Sequence, residues 1–101
     1  MFILILTYQK ALNEVDKHLE AHKQYLEKFY QSGNFIASGR QKPRIGGIIL
    51  CNANNKEEVE NIISHDPFCI NQIAIYQIIE FEPTLYNNTN LQSMLISARN
   101  K

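Results

Sequence analysis

Two polar side chains stand where proton-transfer chemistry could be built. His22 falls inside the apolar stripe of a long helical pattern, and Asp66 opens the tripeptide Asp66-Pro67-Phe68 well downstream. Imidazole is the side chain whose ordinary titration lies closest to neutrality. A carboxylate bonded to one ring nitrogen fixes the tautomer and leaves the other nitrogen to face a substrate as acid or base. Set against this is a structural reading, in which the histidine is simply hydrogen-bonded and the aspartate serves a turn before proline. No nucleophile accompanies the pair by motif. Proton abstraction beside a carbonyl, with elimination or isomerisation, therefore fits better than hydrolysis.

Other residues are candidates for holding a substrate. Arg40, Lys42 and Arg44 form a basic cluster that could bind a carboxylate, or be a solvated loop. Ser38 and Gly39 could bring backbone donors, although Gly39 equally suits a turn or bulge. Phe68, with Tyr8, Tyr25 and Tyr76, could wall a pocket or fill a core. His18 lies one helical turn before His22, but no H-E-x-x-H motif is completed, so no metal is expected, and the chemistry calls for no cofactor. His65 suits a helix C-terminus, where positive charge is favoured. Gly46-Gly47 lacks the frame of a phosphate loop. Cys51 is expected in the core or an interface, and Cys69 is a weak candidate for a reactive thiol.

The elements that must position these groups follow from periodicity. Residues 1 to 8 read as a strand. Leu12, Val15, Leu19, His22, Leu26, Phe29 and Gly33 recur at steps of three and four, which predicts one amphipathic helix ended by Ser32-Gly33. Asn34 to Gly39 and Gly46 to Cys51 read as strands joined by a connection holding Pro43. Asn55 with Glu58 is an N-terminal capping pattern for a second helix, which Pro67 should stop at Asp66. Gln72 to Glu82 reads as the last strand. The order β-α-β-β-α-β predicts an α+β, ferredoxin-like domain: a four-stranded antiparallel sheet with two helices on one face. Both faces of the first and last strands are apolar, so a second cover is needed, and a homodimer packed sheet to sheet, of the α/β-barrel kind, supplies it. The domain is expected over residues 1–83, with an extension over 84–101 carrying a short helix from about Asn90.

Composition narrows the partners. The chain has 101 residues, ten basic and ten acidic, with 45% hydrophobic content, which suits one small domain. No basic stripe invites nucleic acid. The opening apolar run lacks a basic lead and is too short for a secretory signal, and no segment is long enough to span a membrane. Cys51 and Cys69 show no metal or disulfide spacing. The cytoplasm is the expected compartment and a small molecule the expected ligand.

His22 in the first helix, the Ser38-Gly39 step, the Gly46-Gly47 pair and the Asp66-Pro67-Phe68 element together give a resemblance. The chain resembles the YciI-like (YCII-related) family over about residues 1 to 83. That resemblance implies a dimeric ferredoxin-like fold and an active site in which the helix histidine and the D-P-F aspartate act together, roles that carry over to His22 and Asp66. It further implies lyase or isomerase chemistry, with a non-catalytic metabolite-binding or dimerisation module as the alternative. Two departures, Arg40 where the family often has proline and a short connection to the third strand, imply a substrate of this chain's own. The C-terminal extension also lies outside the family pattern.

Overall fold

In the computed structural model, which describes residues 1–85, four strands make one antiparallel sheet. These are β1 (Phe2–Tyr8), β2 (Phe35–Arg40), β3 (Gly46–Cys51) and β4 (Ala74–Glu80), arranged β2-β3-β1-β4. Alternation sorts their side chains by face. Phe2, Leu4, Leu6, Phe35, Ile49 and Cys51 point to the core side and are almost wholly buried. Ile3, Ile5, Ile48, Leu50, Ile75 and Ile79 share the opposite face, where Ile48, Ile75 and Ile79 are exposed.

The helices are α1 (Leu12–Lys17), α2 (Leu19–Gln31), α3 (Lys56–Ile63) and α4 (Pro67–Ile70). They add Val15, Tyr25, Phe29, Val59, Ile62, Ile63 and Phe68 to the core. The cap expected at Asn55 forms, its Oδ1 accepting from Glu58 N–H at 2.8 Å. Glu58 reaches back one residue further than a simple capping box, to Asn54 N–H at 2.9 Å. Gly33 ends α2 at φ 86°, a left-handed conformation in which a side chain would be strained. Gly46 is required by close approach: a Cβ there would lie 1.7 Å from the Leu6 carbonyl oxygen.

Three local readings are corrected. The first helix is broken at His18, which sits at φ −107°, ψ 2° and gives its N–H to Val15 at 3.0 Å in a tightened turn. Val15 and His22 stay buried on either side of the break, so the apolar spacing runs through it, whereas Leu12 is left 44% exposed. Asp66 does not merely follow a helix; it caps α4, a short helix the sequence reading did not include. The last strand begins at Ala74, because Gln72 takes a left-handed φ of 56° that turns the chain out of α4. The helix expected near Asn90 lies outside the described residues, as does nearly all of the 84–101 extension. No helix among the described residues is long and apolar enough to cross a membrane.

Cys51 is fully buried and Cys69 exposed, both as free thiols. Burial, and then the charge of Glu58, push the Cys51 thiol up to about 12 from 9.0. Ellman's reagent should therefore titrate Cys69 in the native chain and Cys51 only after unfolding. The raised value means that stability from keeping this thiol neutral is complete below 9.0 and is lost as pH rises through about 12. Chemical denaturation across that alkaline range should show the decline, and Cys51→Ala should shallow it.

Candidate active site

Asp66 is 0% exposed, and every hydrogen-bonding contact its carboxylate makes is with a donor or a ring nitrogen. Its sequence context explains its place. An aspartate before a helix-starting proline is an N-cap: Pro67 needs no partner for a missing N–H, and the first free amide, Phe68 N–H, donates to Asp66 Oδ1 at 2.9 Å. The same Oδ1 lies 2.8 Å from His22 Nδ1, on α2. The other oxygen, Oδ2, accepts a hydrogen bond from the Tyr76 hydroxyl, on β4. One carboxylate thus ties α4, α2 and β4.

The His22 ring is fixed on its faces as well as its edge. It stacks on Phe68 at 4.0 Å between centroids and 5° between planes, with Tyr25 tilted beside it at 5.9 Å. Tyr8 meets Phe68 edge-on at 6.0 Å. A carboxylate at Nδ1 calls for the proton on that nitrogen, leaving Nε2 without a hydrogen-bond partner among the described residues. The His22 side chain keeps 11% exposure and lines a cleft of about 260 Å³. Burial first, and then the Asp66 charge, push the Tyr76 and Tyr25 hydroxyls well above the ordinary phenol range, so both stay neutral. The Tyr25 and Tyr76 hydroxyls also act on each other.

The cleft opens between α2 and the β2–β3 side of the sheet. Ser38, Gly39, Arg40, Arg44 and Phe68 all line it with His22, whereas Asp66 lies behind the imidazole. Their states differ. Arg44 pairs with Asp16 at 2.6 Å and lies over the Tyr8 ring at 5.9 Å. The Ser38 hydroxyl bonds that of Tyr30 at 2.6 Å. Gly39 is not at a bulge, since the register slips between Phe35 and Ala37. Lys42 is exposed and does not reach the cleft. His65 bonds the Asn61 carbonyl at 2.8 Å, closing the end of α3 as expected. No three His, Cys, Asp or Glu side chains among the described residues are grouped to hold a metal.

A larger hollow, of about 700 Å³, lies elsewhere, around Asn34, Asn52, Glu58 and Glu80. It contains neither His22 nor Asp66.

Sequence reasoning missed Tyr76 as a partner of Asp66 and Asp16 as a partner of Arg44. The signal for Tyr76 was present: alternation puts it with Ala74 and Ile78 on the core face, and a buried phenol seeks a partner. Nothing local links Asp16 to Arg44.

An antiparallel α+β domain with a buried histidine–aspartate pair at the inner end of a small cleft is the class that fold and site define. The chain belongs to the YCII-related domain family, whose model matches residues 1–82. Among solved structures it is similar in fold to 5-chloro-2-hydroxyhydroquinone dehydrochlorinase of Burkholderia phenoliruptrix in complex with 2,5-dihydroxybenzoquinone. The match has a TM-score of 0.67 and 19% identity, and covers 81% of this chain and 94% of that one. No curated protein matches the sequence.

Removing a partner of Asp66 strands a buried acceptor. Tyr76→Phe should cost about 1–3 kcal/mol, and Asp66→Ala, which also removes the α4 cap, about 3 kcal/mol or more. Tyr30→Phe, at an exposed hydroxyl, should stay within about 0.5 kcal/mol. Urea denaturation of the three variants reads the ranking.

Proposed function

We propose that the chain is a small dimeric enzyme in which His22 and Asp66 act as an acid/base dyad on a small organic molecule, in a lyase or isomerase type of reaction. The observation that carries this reading is the 2.8 Å contact of His22 Nδ1 with buried Asp66, with Nε2 left for the cleft. Asp66 holds the imidazole in one tautomer and supports its positive charge when Nε2 takes a proton. Nε2 then returns that proton to a neighbouring carbon or to a leaving group. The dehydrochlorinase with the same fold carries out an elimination, which agrees in kind with this chemistry. In the second reading, the same cleft binds a metabolite without turnover.

The strand order β2-β3-β1-β4, with helical crossovers from β1 to β2 and from β3 to β4, supports a ferredoxin-like topology. The open face bearing Ile3, Ile5, Ile48, Ile75 and Ile79 supports a sheet-to-sheet homodimer. Light scattering should give twice the chain mass, and Ile79→Lys, a charge on the β4 strand of that face, should give the monomer. A wild-type monomer at micromolar concentration would rule the dimer out.

The chemistry is tested by incubating the protein in D₂O with a panel of small enolisable and β-halogenated compounds, 2,5-dihydroxybenzoquinone included. Deuteration or elimination is followed by NMR. Wild type should transform at least one class, His22→Ala should lose about 10²–10⁴-fold, and Asp66→Asn should fall between them. Activity that survives His22→Ala would remove the dyad from the mechanism.

A further inference from the structure

The charge of the cleft is out of proportion to that of the chain. Basic and acidic residues balance at ten each overall, yet the cleft is lined by Lys23, Arg40 and Arg44 and by no carboxylate side chain. Of the three cations, Arg44 is already engaged by Asp16. Lys23 and Arg40 are in no ion pair among the described residues.

Both are aimed at the site by the elements that carry them. Leu19, His22, Lys23 and Leu26 are related by steps of three and four, so Lys23 shares the face of α2 that presents His22 to the cleft. Arg40 is paired with Gly47 in the sheet, in phase with Ser38 opposite Ile49, which puts it on the helix side of β2. Gly47 offers no side chain to cover it. The same cleft is lined by apolar and aromatic surfaces, from Leu6, Ile49, Tyr8 and Phe68. The volume of about 260 Å³ is just below the usual range of ligand pockets, which holds the occupant to roughly one ring.

We propose that the cleft binds a small planar carboxylate, its charge held between Arg40 and Lys23 and its flat body laid along Tyr8 and Phe68 toward His22. A guanidinium forks onto a carboxylate and the ammonium adds a point charge, while a neutral analogue of the same shape leaves both unanswered. For the dyad, which this inference takes as its reaction centre, the same cations would stabilise negative charge that develops when Nε2 removes a proton.

The test is a pair of isosteres, benzoate and benzamide, titrated into the full ¹⁵N-labelled chain near neutral pH at low salt. Benzoate should move the amides of Gly39, Gly46 and Gly47, and benzamide should bind at least about tenfold more weakly, a difference of about 1.4 kcal/mol. Arg40→Gln and Lys23→Gln should each weaken benzoate severalfold or more, Lys42→Gln should not, and raising ionic strength to about 0.15 M should weaken it. No response to benzoate, equal affinity for benzamide, or unchanged benzoate affinity in either Arg40→Gln or Lys23→Gln overturns the proposal. Binding is read without turnover, so the titration holds even if the dyad proves inert. Conversely, His22-dependent turnover confined to neutral compounds would keep the dyad and remove the carboxylate.

Discussion

The buried carboxylate of Asp66 is the constraint around which this small domain closes. A carboxylate removed from water is costly unless it is met by donors. Here they come from three separate elements: the Phe68 amide of α4, the Tyr76 hydroxyl of β4 and the His22 ring of α2. Satisfying the carboxylate sets α4 at the sheet edge, holds α2 across it, and fixes the imidazole by the same contacts. Stability and the proposed chemistry therefore depend on one group, and the stacking of Phe68 on His22 follows from the cap, because the residue whose amide is capped is the one whose ring meets the imidazole.

The sheet separates two uses of apolar surface. Its inner face, with Phe2, Leu4 and Leu6, builds a core that the helices cover, and the cleft opens at the border of that core where Gly46 and Gly47 keep side chains out of the way. Its outer face is rich in isoleucine, with Ile75 60% exposed and Ile48 and Ile79 partly so. A strand such as β1, apolar on both sides, makes sense only if both faces have work to do.

Much of this was legible where a local rule decides the geometry. Gly46–Cys51 has the bounds that its composition suggested, Asn55 caps α3, and Gly33 takes the left-handed turn that ends α2. Sequence also singled out His22 and Asp66, because a polar residue in an apolar stripe and an aspartate before proline are both visible as patterns. What it missed depends on tertiary contacts. The break at His18 interrupts no spacing, since one tight turn leaves Val15 and His22 buried on either side of it. The four-residue α4 is shorter than any periodic signal, although the capping signal Asp66-Pro67 was there to be read. Tyr76 and Asp16 gain their roles from partners distant in the chain, which alternation alone cannot name.

The most direct measurement of the central claim is the protonation pattern of the His22 ring, read by ¹⁵N NMR of the imidazole in wild type and in Asp66→Asn. The account predicts that neutral His22 carries its proton on Nδ1, protected by the bond to Asp66, with Nε2 bare toward the cleft, and that this preference relaxes in Asp66→Asn. A wild-type ring that carries the proton on Nε2, or one whose tautomer is indifferent to Asp66, would contradict it.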